Sequence, residues 1–258
     1  MHQTERNKNQ NIGTLRDIKL IALDIDGTLL NHKHKVSSVT KEEIERAVSQ
    51  GVHVMLCTGR PADFCHNIME GLNLNGYLIT VSGGEIWTPD RELIERKVHA
   101  PEMMETLYQL GEQMGLAMWL ISTKQVYENG AYPDSFYEED WLKIGFHTDD
   151  ADKLSTMKQA LSKYDDLELT NSHPNNIEVN PFGVSKAHGL EKVCKLLNLT
   201  LDNVMAVGDS LNDYTMINQA GIGVAMGNAQ QEIKNIADYI TETNEHDGVA
   251  QAIRQFIK

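Results

Sequence analysis

Two aspartates stand two residues apart where an apolar run ends near the start of the chain. The run Leu20–Leu23 has the composition of a buried parallel strand, and Asp24 and Asp26 follow it directly before Gly27. Side chains alternate along a strand, so both carboxylates point to one side, where a bound cation or a shared proton would relieve their repulsion. The pair favours Mg²⁺. On these residues alone an ordinary turn explains the pattern equally well, because Asp and Gly are common turn residues.

A hydroxyl and a glycine amide follow a second apolar run, Val52–Cys57. Thr58, Gly59 and Arg60 stand at this strand end, just before Pro61, a residue suited to the first turn of a helix. Free N–H groups and the helix dipole favour an anion at such a position. The alternative that Thr58 only caps the helix remains open, and we expect Arg60 to be an exposed helix residue.

A third polar cluster follows the apolar strand Val204–Val207 and reads Gly-Asp-Ser-Leu-Asn-Asp. In an open parallel sheet, ligands bind at the carboxyl ends of the strands. We therefore expect Asp209, Asn212 and Asp213 to share one crevice with the aspartate pair and the threonine. Hard oxygen donors without imidazole or thiolate favour Mg²⁺ over zinc.

The order of elements predicts an α/β fold with a Rossmann-like, doubly wound, mostly parallel sheet. A helix over 39–50 joins the first two strands into a parallel βαβ unit. From about residue 100 to 180 the pattern changes to helix, strands, helix and strands, which predicts an inserted α+β cap of the αββαββ type. The expected domains are a disordered tail over 1–17, a catalytic core from 18–98 and 181–258, and the cap over 99–180.

The composition limits the partners of the chain. Its net charge of −14, from 23 basic and 37 acidic residues, disfavours binding to nucleic acid or anionic lipid. No stretch has the length of a transmembrane helix, the first 17 residues lack the apolar segment of a secretory signal, and three dispersed cysteines argue against a disulfide framework. We expect a cytoplasmic protein that is a monomer or a homodimer.

Taken together, the motifs resemble the haloacid dehalogenase-like phosphohydrolases and, within them, the Cof-type branch, whose cap lies between the second and third motifs. The resemblance is carried by Asp24-Ile-Asp-Gly-Thr-Leu, Thr58-Gly-Arg, Gly183-Val-Ser-Lys and Gly208-Asp-Ser-Leu-Asn-Asp. The segments Val224-Ala-Met-Gly-Asn-Ala and Glu245-His-Asp-Gly-Val are similar to the same branch. Ser82-Gly83-Gly84 departs from the usual Asn-Gly-Ala of the family, which leaves the polar contacts of that loop open.

The resemblance implies a Mg²⁺-dependent phosphatase of small phosphomonoesters, such as sugar phosphates or phosphorylated cofactors. Asp24 would be the nucleophile that forms an aspartyl-phosphate, and Asp26 the general acid and base. The implied metal ligands are Asp24, the backbone carbonyl of Asp26, and Asp209. The implied phosphate-binding residues are Thr58, Gly59, Lys186 and Asn212, with Asp213 positioning the lysine. A phosphomutase using the same intermediate, and a non-catalytic sensor of a phosphorylated metabolite, remain alternatives.

A cap over the crevice would exclude water and select the leaving group. Its candidate substrate contacts are the polar or aromatic residues of its strands and turns: Trp119, Tyr127, His147, His173 and Glu178. Since such residues more often pack or face solvent, we expect only a minority of them to touch substrate.

Overall fold

The computed structural model describes residues 17–258, which form two separate β-sheets with helices packed against them. The strands are β1 (Leu20–Leu23), β2 (His53–Cys57), β3 (Leu78–Thr80), β4 (Glu85–Trp87), β5 (Leu93–Arg96), β6 (Ala117–Ser122), β7 (Val126–Glu128), β8 (Trp141–His147), β9 (Leu167–Thr170), β10 (Asn176–Pro181), β11 (Val204–Gly208), β12 (Ile222–Ala225) and β13 (Tyr239–Ile240). The helices are α1 (Ser38–Ser49), α2 (His66–Gly71), α3 (Pro101–Met114), α4 (Ala151–Leu161), α5 (Lys186–Leu196), α6 (Tyr214–Gln219), α7 (Gln231–Ile236) and α8 (Gly248–Phe256). The predicted disordered tail over 1–17 lies outside the described residues, except for Asp17.

The first sheet has eight strands in the order β13-β12-β11-β1-β2-β3-β4-β5. The neighbours from β13 to β3 pair in parallel, and the β4–β5 hairpin continues the sheet with antiparallel pairing. The chain thus starts in the middle, winds outward through β2 and β3, and later returns on the other side of β1 through β11. This order confirms the predicted doubly wound, mostly parallel fold, and it brings the ends of β1, β2 and β11 side by side.

Local sequence explains how the central strands are held. All four residues of β1 are buried between parallel neighbours, as its unbroken apolar composition requires. Helix α1 begins after Ser37, whose hydroxyl accepts a hydrogen bond from the Thr40 N–H, and the chain turns sharply at Gly51 with φ +81°. The helix predicted over 39–50 is therefore displaced by one residue at each end.

The second sheet is antiparallel and has five strands in the order β7-β6-β8-β10-β9. Helices α3 and α4 cover it, and their apolar faces complete a separate core that includes Met104, Trp141, Phe146 and Met157. The element order is helix, three strands, helix and two strands, so β7 adds one strand to the expected αββαββ pattern.

The chain passes between the two sheets twice, and the two crossings lie side by side. On the outward crossing the His99 ring is hydrogen-bonded to the Val179 carbonyl at 3.2 Å, and the Lys97 ammonium donates to the Gly183 carbonyl of the return crossing at 3.4 Å. The sheets also meet where the Asn212 N–H donates to the Asn171 carbonyl at 2.9 Å. Among residues 17–258, none of the helices is both long and apolar enough to cross a membrane.

Candidate active site

Asp24 lies at the carboxyl end of β1 and is held by a buried lysine. Its Oδ1 accepts a hydrogen bond from the Lys186 ammonium at 2.5 Å, and the same ammonium donates to Asp213 Oδ1 at 2.6 Å. Lys186 is fully buried and is the first residue of α5, whose N-terminus is capped by Ser185. Burial opposes the charge of this lysine, but the carboxylates of Asp213 and Asp24 outweigh it and raise the pKa of Lys186.

Asp209 faces Asp24 from the end of β11. Its Oδ1 accepts a hydrogen bond from the Thr28 hydroxyl at 3.2 Å. A Cβ placed on Gly27 would lie 2.4 Å from Asp209 Oδ2, and Gly27 also has φ +73°. Glycine is therefore required at position 27 both by its left-handed backbone and by the close approach of the carboxylate.

Three carboxylates form a cluster with the geometry of a cation site. Asp24, Asp209 and Asp213 each offer a ligand atom within 4.8 Å of the others. Burial, together with the neighbouring carboxylates and against the pull of Lys186, raises the pKa of Asp24 to about 7 and that of Asp209 to about 8. A divalent cation would relieve this repulsion, and the donor set, made only of hard oxygens, suits Mg²⁺.

Both carboxylate oxygens of Asp213 already accept hydrogen bonds from other groups of the protein. Its Oδ1 pairs with Lys186, while its Oδ2 accepts the N–H groups of Asp209 at 2.9 Å and Ser210 at 3.1 Å. Asp24 and Asp209 each keep one oxygen that receives no hydrogen bond from the residues described. These two fit as direct ligands, and Asp213 fits as the residue that positions the lysine and the loop.

The loop after β2 places backbone amides and Thr58 beside this cluster. The Thr58 hydroxyl accepts the N–H of Arg60 at 3.2 Å, and the next helical turn has Pro61 as its N-cap without a side-chain bond. Thr58 therefore does not cap a helix, which excludes that alternative. A Cβ on Gly59 would lie 3.7 Å from Asn212 Nδ2, so the glycine loop and the amide of Asn212 are neighbours.

Asp26 and Arg60 form an ion pair at the mouth of the site. The guanidinium donates to both carboxylate oxygens, from Nε at 2.7 Å and from Nη2 at 2.5 Å. The Asp26 side chain is 55% exposed and that of Arg60 26%. The expectation that Arg60 is an exposed helix residue is thus wrong, because the sharp turn after Gly59 directs its side chain back over the end of β1.

A cavity of about 400 Å³ opens in front of Asp24, and both sheets contribute to its walls. From the first sheet and its loops come Asp24, Asp26, Gly59, Arg60, Pro61, Phe64, Ser210 and Asn212. From the second come Trp119, Ile121, Val126, Ser172 and Glu178. The buried Thr58 and Lys186 lie behind the first set and outside the cavity wall.

Of the five candidates in the second sheet, Trp119 and Glu178 reach the cavity. Tyr127 instead packs against Trp141, with ring centroids 5.5 Å apart, and donates its hydroxyl to Glu139. His147 lies 3.8 Å from Asp149, and His173 accepts the N–H of Asn175; neither lines the cavity. Both residues that reach it are register partners of Gly145 in β8, so they flank the same point of the second sheet.

Sequence reasoning missed Lys143, a residue of β8 whose side chain is 1% exposed. Its ammonium donates to Glu178 Oε2 at 2.6 Å and to the Ser82 hydroxyl at 2.8 Å. The signal that could have found it is a single lysine inside an otherwise apolar strand. The contact also answers the open question about the Ser82 loop, where Val81 and Ser82 both have positive φ, of 49° and 57°.

Comparison with known proteins decides the family of this fold and site. A model of haloacid dehalogenase-like hydrolases matches residues 21–139 and 128–253. The chain belongs to this family. The resemblance of the sequence motifs is thereby confirmed, and this haloacid dehalogenase-like hydrolase is a phosphatase, as its relatives are named.

The relatives match over almost their whole length. The hydrolase is 44% identical over 241 residues to the 5-amino-6-(5-phospho-D-ribitylamino)uracil phosphatase YcsE of Bacillus subtilis, covering 93% of this chain and 96% of that one. It is 30% identical to the phosphatase YwpJ of the same organism, covering 93% of this chain and 100% of the relative. A solved haloacid dehalogenase-like hydrolase from B. subtilis superposes with a TM-score of 0.87 at 29% identity, covering 93% and 100% of the two chains.

Proposed function

We propose that this hydrolase is a Mg²⁺-dependent phosphatase that cleaves a small phosphomonoester through an aspartyl-phosphate on Asp24. The observation that carries the proposal is the position of the Asp24 carboxylate, which lines the cavity while Lys186 holds its Oδ1. One oxygen of this carboxylate would attack phosphorus while the other binds the metal. A buried carboxylate with one oxygen fixed is oriented for in-line attack on phosphorus.

The proposed reaction divides two roles between Asp24 and Asp26. A carboxylate oxygen of Asp24 forms a bond to phosphorus as the bond to the leaving oxygen breaks, and Asp26 gives that leaving oxygen its proton. Asp26 then takes a proton from water, whose oxygen attacks the phosphorus and releases phosphate and free Asp24. Mg²⁺ held by Asp24, the Asp26 carbonyl and Asp209 would neutralise the carboxylates and polarise the phosphoryl group.

Four residues next to the nucleophile are proposed to hold the phosphoryl oxygens: Thr58, Gly59, Lys186 and Asn212. They supply a hydroxyl, a backbone amide, an ammonium and a side-chain amide, all hydrogen-bond donors suited to an oxyanion. This local set of donors also explains how a chain of net charge −14 can bind an anionic substrate.

The proposed substrate is 5-amino-6-(5-phospho-D-ribitylamino)uracil, a phosphorylated polyol joined to a pyrimidine. Two relatives carry that substrate in their names, YcsE at 44% identity and YwtE at 28%. The cavity supports the assignment because it offers the aromatic side chains of Trp119 and Phe64 to a flat ring and the polar groups of Ser172 and Glu178 to hydroxyls.

The test is a phosphate-release assay on a panel of phosphomonoesters that contains this compound, ribitol 5-phosphate and phenyl phosphate. We expect the ribitylaminouracil phosphate to have the highest kcat/KM, a requirement for Mg²⁺, and loss of turnover in Asp24→Asn. Asp63→Asn, an exposed aspartate of the same region, is the matched control and should leave the rate unchanged. Normal turnover by Asp24→Asn, or transfer of the phosphoryl group to a sugar instead of water, would overturn the proposal.

A further inference from the structure

A buried ion pair of the second sheet lies beside the substrate cavity and contacts the first sheet through Ser82. Lys143 of β8 and Glu178 of β10 are 1% and 5% exposed, and their charged atoms are 2.6 Å apart. Ser82, from the loop after β3, accepts from Lys143 at 2.8 Å and lies 3.4 Å from Glu178 Oε2. Glu178 is thus fixed by contacts from both sheets.

A second chain of hydrogen bonds fixes the other oxygen of Glu178. Ser172 donates to Glu178 Oε1 at 2.6 Å, and the Asn176 amide donates to the Ser172 hydroxyl at 3.1 Å. Burial opposes the charge, but Lys143 and Ser172 lower the pKa of Glu178 below its ordinary value. The group is therefore a carboxylate, which accepts hydrogen bonds and cannot donate them.

The ion pair of Lys143 and Glu178 is expected to add little to the free energy of unfolding. Taking two charges out of water costs about as much as their attraction returns, and apolar residues of similar volume are often equally stable in such places. The pair is instead located where recognition takes place, because Glu178 and Ser172 line the cavity in front of Asp24. Among residues 17–258, Oε1 receives only the Ser172 hydroxyl, so it retains acceptor capacity.

The position of Lys143 explains how a carboxylate is tolerated beside a phosphate site. A Cβ on Gly59 would lie 3.6 Å from the Lys143 ammonium and 3.4 Å from the Ser82 hydroxyl, which places both groups against the loop after β2. The lysine neutralises Glu178 at the point where an unpaired negative charge would repel the substrate phosphate. Glu178 can then act as a hydrogen-bond acceptor at little electrostatic cost to phosphate binding.

We propose that Glu178 is a specificity-determining residue that accepts hydrogen bonds from hydroxyl or amine groups of the leaving group, and that Lys143 and Ser82 are its positioning residues. The substrate class selected in this way is a phosphomonoester whose leaving group carries donors close to the phosphate, as a polyol does. The inference rests on the proposed phosphatase reaction and adds to it the group that discriminates among substrates.

The experiment compares two probes that differ in the donors of the leaving group. Ribitol 5-phosphate carries several hydroxyls, whereas the phenyl ring of phenyl phosphate carries none. Each variant is compared with the wild type on the same probe, so that the different intrinsic reactivities of the probes cancel. The central variant is Lys143→Met/Glu178→Leu, which replaces the ion pair by apolar side chains of similar length and keeps the cavity wall packed.

We expect the double variant to lose at least about tenfold in kcat/KM on ribitol 5-phosphate, the loss expected for a hydrogen bond to a charged group, mostly through KM. On phenyl phosphate the change should stay within about twofold. Glu178→Gln, which keeps the shape of the side chain, should lose part of the same selectivity and serves as the second variant if the double one folds poorly. Arg91→Met/Glu70→Leu removes an exposed ion pair outside the substrate cavity and should change neither rate.

Parallel losses on both probes would overturn the inference, because they would mean that the pair only holds the second sheet in place. Unchanged kinetics of the double variant on both probes would overturn it as well. So would a Glu178→Gln variant whose ratio of the two kcat/KM values equals that of the wild type. A wild type that hydrolyses neither probe nor the ribitylaminouracil phosphate would instead overturn the phosphatase proposal itself. The two failures are therefore distinguishable.

Discussion

The Arg60 guanidinium binds the Asp26 carboxylate at two points, through Nε at 2.7 Å and Nη2 at 2.5 Å. Such a pair fixes the rotation of the carboxylate as well as its position, because the planar guanidinium matches its two oxygens. Arg60 belongs to the same loop as Gly59. The loop that is proposed to hold the phosphate therefore also orients the proposed general acid.

Replacement of Arg60 by lysine should lower kcat while KM changes less. Lysine keeps the positive charge but cannot bind both oxygens of Asp26, so the carboxylate loses its fixed orientation. We expect a fall in kcat of about tenfold on phenyl phosphate at saturating Mg²⁺, measured by steady-state kinetics. Arg91→Lys, at an exposed pair with Glu70, provides the comparison and should match the wild type. A wild-type kcat in Arg60→Lys would mean that Asp26 needs no such orientation.

Gly27→Ala should weaken Mg²⁺ binding specifically. The added Cβ would lie 2.4 Å from Asp209 Oδ2, so the carboxylate must move away from its position beside Asp24. We expect the Mg²⁺ concentration for half-maximal activity to rise by about tenfold or more, since Mg²⁺ tolerates little displacement of the carboxylates that would hold it. Calorimetric titration of the metal gives the same information without turnover.

Gly51→Ala separates this effect from backbone strain. Gly51 also has a left-handed backbone, with φ +81°, but nothing lies within 4 Å of its Cβ position. Both alanines should destabilise the fold by about 1 to 2 kcal/mol, and only the one at position 27 should alter the metal dependence. Equal Mg²⁺ affinities in the two variants would contradict the assignment of Asp209 as a ligand.

His99 should make the protein less stable as the pH falls through mildly acidic values. Burial lowers the pKa of His99 to about 4 from its ordinary 6.5, partly opposed by the hydrogen bond to Val179. Between these values the unfolded chain binds a proton that the folded chain does not, so the stability present above pH 6.5 is lost on the way to pH 4. The loss amounts to about 2 kcal/mol at about pH 5.

The measurement is the free energy of unfolding in urea at about pH 7.5 and about pH 5 for the wild type and His99→Gln. Glutamine can still donate to the Val179 carbonyl but does not titrate, so the variant should lose about 2 kcal/mol less than the wild type over this interval. All other titrating groups are common to both proteins and cancel. Identical losses would show that His99 takes up its proton in the folded state.

The three cysteines should be unreactive in the folded protein. All are buried, and burial raises the pKa of each thiol: that of Cys57 strongly, that of Cys65 to about 12 and that of Cys194 to about 11. Since the thiolate is the reactive species, a disulfide reagent at mildly alkaline pH should label none of them until guanidinium unfolds the chain. Activity should also survive iodoacetamide. Rapid labelling of a native thiol would reveal local opening around that residue.

The sequence predicts strands made of continuous apolar residues more accurately than it predicts short helices. Strand β1 has the predicted bounds Leu20–Leu23, and β11 extends the predicted Val204–Val207 by one residue, because continuous apolar residues end there at turn or polar residues. The helix predicted to start at Pro61 begins as α2 only at His66, and the six-residue α6 is not predicted. Six residues make fewer than two turns, too few for a 3.6-residue period to be recognised.

Part of the candidate site can likewise be predicted from the sequence, and part cannot. Asp24, Thr58 and Asp209 could be expected near one another because each follows a strand of a parallel sheet, and topology alone brings such ends together. The contact between Lys143 and Ser82 could not be predicted, because it depends on how the second sheet packs over the first. No local pattern in either segment encodes that packing.

The two crossings between the sheets, tied by His99 to Val179 and by Lys97 to Gly183, have a consequence for how this family can diversify. The chain leaves the first sheet and returns to it at one place, so everything between is a single continuous insert with adjacent ends. Such inserts can be exchanged without re-routing the host chain. A new leaving-group preference could therefore arise by grafting one segment onto an unaltered catalytic sheet. The grafted segment would need a side chain that contacts Ser82, as Lys143 does here.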